Sequence, residues 1–445
     1  MVKRPQGLNK SSKSKKKQRV TSELPSGNGG EPEQVTIELD HEVDPDDELG
    51  QLNALYDTFV NSPVDNNGFK SPKLLYGVIH ECDRLLRNAT GALPSRFHNV
   101  YALSLLELSK FHVSEGEKRS QQSEQQDEDM PVDTTEAYIE AAIDRADVGL
   151  AADEKSPDLL FTRAKAEIAL ISVKINDVTL TPGVRYMVAV EMIENIQKAI
   201  KDYEVAESII LDSPESDANK KKGCLYTKDQ LDTIESLLKI AENFNSLEYE
   251  REIAPFETNS DPAFEKVDGP LLAEQQRKLA EWSKKRWEQI LEKVPEGKGK
   301  GKTPEEDGDH SYAVIRRANR GMGEYYLSIS APIISRLEAS DDDDGDDDDD
   351  DDDDEEVTEE KLNDFQTAKG LLTKAIEYLL KAEHDSEHDA AVYPLIAEAQ
   401  ISLANLLDND SDEQNVLYNE AVARLKKAQR LGYGDYQEQI AELEL

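Results

Sequence analysis

The stretch FQTAKGLLTKAIEYLLKAE, residues 365–383, decides the fold. It places an aromatic at Phe365, a small residue at Ala368, an aliphatic at Leu372 and a second small residue at Ala375. Further on, YNEAVARLKKAQR, residues 418–430, repeats the same offsets in Tyr418, Ala421, Leu425 and Ala428. Steps of three and four keep all four side chains on one helix face, and the alanines let a neighbouring helix approach closely, which is the second-helix pattern of a tetratricopeptide-type repeat. Tyr393, Ile396 and Ala397 fit the first-helix pattern, and Tyr186, Ala189, Ile193 and Ile196 give a weaker second-helix echo. Tyr418 follows Phe365 by 53 residues, against a standard repeat of about 34, so the repeats are degenerate with long connections. The competing reading is a tightly packed bundle, in which small residues also recur at helical spacing.

Outward from this region the helical period continues. Apolar residues recur three and four apart in Leu49, Leu52, Leu55, Tyr56 and Phe59, and again in Leu74, Leu75, Val78, Ile79, Cys82, Leu85 and Leu86. Helices are expected over 100–111, 136–152, 157–175, 183–211, 228–245, 269–294, 311–338, 358–383, 388–407, 413–430 and 435–444, punctuated by Pro157, Pro182, Pro214 and Pro270. No convincing alternating strand pattern is present. The expected class is all-α, a tetratricopeptide-like helical repeat solenoid with degenerate repeats. Its organisation reads as a disordered basic arm over 1–45, an α-helical repeat region over 46–340, an acidic disordered loop over 341–357 and C-terminal tetratricopeptide-like helices over 358–445.

The 445 residues carry 52 Lys+Arg against 94 Asp+Glu, a formal charge of −42. Residues 1–20 hold eight basic and no acidic residues, and residues 341–356 hold fifteen acids. Without these runs 44 basic and 79 acidic residues remain, so the acidity belongs to the body. Such a field repels phosphate backbones and excludes direct nucleic-acid binding by the body. Cys82 and Cys224 are far apart without a CxxC, which gives neither a disulfide framework nor a thiolate metal site and points to a reducing, intracellular setting. No window approaches a membrane helix, and the opening residues lack the apolar stretch of a secretory signal.

Within the arm, Lys3 and Arg4 precede a ten-residue spacer and then Lys15, Lys16, Lys17 and Arg19. That is the spacing of a bipartite nuclear import signal, whose two clusters occupy separate acidic grooves on an import receptor; basic runs also serve as nucleic-acid arms or inert tails. Three other motifs fail on their chemistry. Gly297 to Thr303 ends like a phosphate-binding loop, yet Glu296 stands where its first glycine belongs and no strand precedes it. Asp408, Asp410 and Asp412 begin like a calcium loop, but Glu413 replaces the required Gly and Asn419 the bidentate Glu. His384 and His388 lack a third anchored metal ligand. No catalytic, cofactor or metal constellation is identified, and the expectation is a non-enzyme.

Three blocks in order carry a family resemblance. They are Lys3-Arg4-Pro5-Gln6-Gly7-Leu8-Asn9-Lys10, Asp44-Pro45-Asp46-Asp47-Glu48-Leu49-Gly50-Gln51-Leu52, and Gly77-Val78-Ile79-His80-Glu81-Cys82-Asp83-Arg84-Leu85-Leu86-Arg87. Together they resemble the fungal enhancer-of-translation-termination family, clearly over the first 90 residues and beyond that in helical character. The resemblance implies a nuclear, non-enzymatic adaptor or regulator needed for correct translation termination, shuttling with the cytoplasm. It also implies partnership with a prolyl-hydroxylase-like 2-oxoglutarate and iron dioxygenase, which a fission-yeast relative restrains in hypoxic gene and transcription regulation. In the third block Val78, Ile79, Cys82, Leu85 and Leu86 form the expected buried stripe. His80, Asp83 and Arg84 lie off it, either as a partner contact or as structural charges, with Asp83 and Arg87 spaced to pair. The reading from another class is an acidic chaperone for histones or ribosomal proteins, motivated by the charge alone.

Overall fold

The computed structural model describes residues 19–23, 34–38, 44, 46–62, 70–112, 134–212, 226–253, 263–264, 270–294, 310–339, 359–383, 389–407 and 411–443. Fourteen helices run through these residues, and the body is all-α. They divide into two compact units, 1–170 and 171–445.

Unit 1 contains α1 (Glu48–Asn61), α2 (Pro72–Asn88), α3 (Ser95–Ser109), α4 (Thr135–Ala152) and the start of α5 (Pro157–Ile175). Local chemistry sets the starts. The Asp47 carboxylate accepts from the Gly50 N–H at 2.8 Å, the Thr134 hydroxyl accepts from the Ala137 N–H at 3.2 Å, and Pro72 opens α2 where no N–H is needed. Successive helices pack on one another, and Phe59, Leu75 and Leu108 centre a core flanked by Tyr56, Tyr76 and Tyr138. Gly149 is a point of close approach, because a Cβ there would lie 2.6 Å from Leu159 and 2.7 Å from His98. A short antiparallel ribbon pairs β1 (Arg19–Glu23) with β2 (Gln34–Glu38), Arg19 opposite Glu38. Its runs RVTSE and QVTIE are too short for their alternation to be read as strands from sequence.

Unit 2 holds the remainder of α5, then α6 (Pro182–Glu191), α7 (Ile193–Asp212), α8 (Lys228–Ile253), α9 (Leu271–Lys293), α10 (His310–Ala339), α11 (Glu359–Glu383), α12 (Val392–Asn405), α13 (Asp412–Arg430) and α14 (Gln437–Leu443). The single helix expected over 183–211 is two, broken at Met192, whose N–H bonds both Val188 and Ala189. The Tyr186 to Ile196 echo spans this break, and Tyr186, Ala189 and Ile196 are nonetheless buried. From α8 to α14 each helix packs on the next, and α8 meets α10 and α10 meets α12. Sequence neighbours plus next-but-one partners is the connectivity of a helical repeat.

Of the deciding offsets, the small and aliphatic positions are buried as their spacing required, while the aromatics Phe365 and Tyr418 are half-buried. Ala368, Leu372 and Ala375 of α11 and Ala421 and Ala428 of α13 are fully enclosed, with Leu425 at 3%. Tyr393, Ile396 and Ala397 of α12 fill the space between. The α13 end is closed by Gly432 at φ +78°: its N–H bonds Gln429 and that of Tyr433 bonds Ala428, both at 3.0 Å, a left-handed cap that glycine adopts without strain. At Gly321 and Gly323 of α10, an added Cβ would collide with Trp287 of α9 and Leu379 of α11, so these glycines set how closely α10 lies between its neighbours.

Candidate functional site

The face of α2 carrying the third sequence block divides as its periodicity requires. Leu75, Val78, Cys82 and Leu85 are buried, and Ile79 and Leu86 are half-buried. Burial first, then the charges of Asp83 and Glu81, pushes the Cys82 thiol far above its ordinary range, which leaves it un-ionised and unreactive.

The polar residues behave differently from one another. The Asp83 carboxylate accepts the Tyr101 hydroxyl of α3 at 2.5 Å, while the Arg145 guanidinium sits 4.6 Å from the Tyr101 ring. The expected Asp83–Arg87 ion pair does not form: Arg87 donates to the backbone carbonyl of Asp83 at 3.2 Å. A hydroxyl arriving from α3 satisfies the carboxylate at lower entropic cost than ordering an exposed arginine. Arg84 donates to Glu81 at 2.9 and 2.6 Å and to Glu48 of α1 at 2.8 Å, tying α2 to the first turn of α1. Hydrogen bonds to Glu81 and then to Glu48 raise its pKa and hold it charged, yet 41% of its side chain faces solvent. His80 lies beside it, half-exposed. Of the three residues singled out, Asp83 is committed to the fold, and His80 and Arg84 offer surface.

Lys3, Arg4, Lys15, Lys16 and Lys17 lie outside the described residues, and Arg19 opens β1. The 297–303 motif, Asp408, Asp410, His384, His388, Cys224 and the acidic run at 341–357 also lie outside them. Asp412 starts α13, next to Ser411, whose hydroxyl caps that helix. Among the described residues no group of His, Cys, Asp and Glu is arranged to hold a metal, and no helix is long and apolar enough to cross a membrane.

Two constellations in unit 2 had no local signature. Glu248 of α8, 5% exposed, accepts the Tyr186 hydroxyl at 2.7 Å, the Leu272 and Ala273 N–H groups at 2.7 and 3.0 Å, and Arg251 at 2.8 Å. It caps the N-terminus of α9 from another helix, where Pro270 has no capping side chain. Arg317 and Arg320 of α10 bracket α8: Arg317 pairs with Asp232 and, at 2.5 Å, with Glu235, and Arg320 reaches Glu235 at 2.7 Å, Asp389 at 3.0 Å and Glu324 at 3.5 Å. The α8 partners stand 82 and 85 residues from these arginines, beyond the range of any periodic signal.

Comparison with known proteins bears on the whole chain. A protein from Yarrowia lipolytica called Enhancer of translation termination 1 is 30% identical, with 91% of this chain and 86% of the relative covered. The Candida tropicalis protein of that name is 32% identical over 93% and 92%, and the Saccharomyces cerevisiae one 28% over 98% and 98%. Among solved structures, the S. pombe nuclear import adaptor Nro1 matches with a TM-score of 0.43 at 19% identity, over 91% of this chain and 97% of that one. The model of the Nro1 family, described as nuclear pore complex subunit Nro1, matches residues 1–444, and the chain belongs to that family.

Proposed function

We propose that this chain is a non-catalytic nuclear adaptor that supports translation termination by binding protein partners. The observation that carries the reading is the family match over residues 1–444 together with relatives named for enhancing termination. The packed helices supply what an adaptor needs, polar faces that their own packing leaves uncovered. The partner proposed is a prolyl-hydroxylase-type 2-oxoglutarate dioxygenase, as the resemblance of the three sequence blocks implies. His80 and the exposed part of Arg84 form the proposed contact on unit 1, with Asp83 acting by holding Tyr101 in place. Lys3, Arg4, Lys15, Lys16, Lys17 and Arg19 are the proposed import signal, read by an import receptor, and the acidic 341–357 segment is proposed as a connection between helices. No bond is made or broken in this mechanism.

The test is co-elution of the purified chain with the same organism's dioxygenase at micromolar concentration, with stop-codon readthrough measured in cells lacking the chain. A complex that survives about 0.5 M salt supports groove binding, since exposed charges are screened over a few ångströms there. Loss of co-elution at all salt concentrations removes the dioxygenase from the proposal. The net charge favours the acidic chaperone as second reading, and binding to histones that collapses with salt while readthrough stays normal would establish it instead. Replacing Lys15, Lys16 and Lys17 by Ala is expected to leave the chain in the cytoplasm, and unchanged nuclear fluorescence would remove the import signal.

A further inference from the structure

We propose that α8 and α10 form a proton-sensitive hinge, clamped towards their N-terminal ends by Arg317 and Arg320, and held together two turns further along only while Glu242 and Glu324 share a proton. The geometry begins with the ion pairs. Arg317 meets Asp232 and Glu235, and Arg320, one turn on, meets Glu235, so partners advance in the same sense and the two helices run parallel. Residues 235, 239 and 242 share one face of α8, as 317, 320 and 324 share one face of α10. Glu235 and Arg317 are 82 positions apart, and so are Glu242 and Glu324. The register that joins opposite charges at one end therefore sets two carboxylates against each other about two turns, or roughly 10 Å, further on.

Those carboxylates have few cations to share. On α8, Lys239 lies between Glu235 and Glu242; on α10, Arg320 stands 3.5 Å from Glu324 but is also engaged by Glu235 and Asp389. Glu398 of α12 adds a third carboxylate facing Glu242. From α9, Glu281, Lys284 and Glu288 approach α10 around Tyr325 and Tyr326, and from α11 Lys374 lies over the Tyr326 ring, so Lys284 and Lys374 sit on tyrosine rings. Burial, then the charges of Glu324 and Glu398, pushes Glu242 up to about 7; burial, with Glu235 and Asp389 opposing Arg320 and Lys239, pushes Glu324 up to about 7. For a carboxyl whose folded pKa lies above its unfolded value, the stabilisation is complete at acid pH and is lost as pH rises through the folded value. The hinge thus closes below neutrality and loosens above it, and the effect reaches α12 through Glu398.

Hydrogen exchange on the full chain tests this at about pH 6 and about pH 8, with rates corrected for the intrinsic pH dependence of exchange. Segments 239–253 and 320–339 are expected to lose roughly tenfold or more of their protection at the higher pH, and 412–430 to change little. Glu324→Gln and Glu242→Gln, near-isosteric and uncharged, should each keep more protection at pH 8 than the native chain, and the double variant should keep nearly all of it. Should one variant fail to fold, the other, together with Glu398→Gln, which leaves the facing pair intact and should retain most of the pH response, decides the matter. Protection independent of pH in the native chain overturns the hinge. So does a pH response that is undiminished in the Gln variants, or one shared equally by all of unit 2.

Discussion

Replacing Glu248 by Ala removes the acceptor on which the start of α9 depends. Four donors lose their partner at once: the Tyr186 hydroxyl, the N–H groups of Leu272 and Ala273, and the Arg251 guanidinium. Each lost bond to a charged group is worth about 1.5–3 kcal/mol in isolation, but they are not additive, and leaving one member of a buried pair uncompensated costs about 3–5 kcal/mol. The expected loss is about 4 kcal/mol. Glu248→Gln keeps one carbonyl oxygen for the helix N–H groups and loses the charge facing Arg251, for about 2 kcal/mol. Glu250→Ala is the control: it breaks the 3.1 Å pair with Arg185, whose side chains are 33% and 23% exposed, and should cost less than about 1 kcal/mol. The readout is built in, because the two tryptophans, Trp282 and Trp287, both lie in α9. Urea unfolding followed by tryptophan emission reports this helix without assuming that both units melt together. With a slope of about 3 kcal/mol per molar, the Ala variant's midpoint should fall by roughly 1.3 M. Equal midpoints for Glu248→Ala and Glu250→Ala would refute the assignment of Glu248 as the cap of α9.

Other expectations follow from the same packing. Gly321→Ala should cost about 1–3 kcal/mol by pressing on Trp287 and should shift its emission, whereas Gly370→Ala, with open space around it, should not destabilise; emission spectra with urea midpoints separate the two. Arg320→Ala leaves Glu235, Glu324 and Asp389 without their shared cation and should cost about 3–5 kcal/mol at neutral pH, with a smaller penalty near pH 5, where Glu324 takes up a proton; midpoints at both pH values check this. His98 is 5% exposed, and burial, then the Arg145 charge, lowers its pKa, so the unfolded chain takes up the proton first and stability is lost as pH falls through the ordinary histidine range. Hydrogen exchange of residues 95–109, which lie in unit 1, should show less protection at pH 5.5 than at 7.5 after correction for intrinsic rates, and His98→Phe should flatten the difference.

Much of the helical scheme was legible because its causes are local. Pro157 and Pro182 stand at the first residues of α5 and α6, and the alanines of α11 and α13 are enclosed at the expected offsets. The break at Met192 escaped because it involves no Gly or Pro; its N–H merely shifts between two carbonyls. Spacing within α2 pointed Asp83 to Arg87, and the competitor that won, Tyr101, belongs to the next helix. Glu248 and the Arg317–Arg320 bracket escaped for the same reason, since 24 residues separate the cap from Leu272 and more than 80 separate the bracket from its α8 partners. Periodicity records which face is buried and is silent on which distant charge meets it.

The neighbour-by-neighbour packing of α8 to α14 also has a mechanical consequence. A chain whose core is one shared cluster gives way all at once under tension, but here each helix packs chiefly on those one or two places away. Pulled from the C-terminal end, α14 and then α13 would come free while Arg317 and Arg320 still held α8 to α10. Unit 2 should therefore lengthen under load in small, reversible steps of a helix or a hairpin.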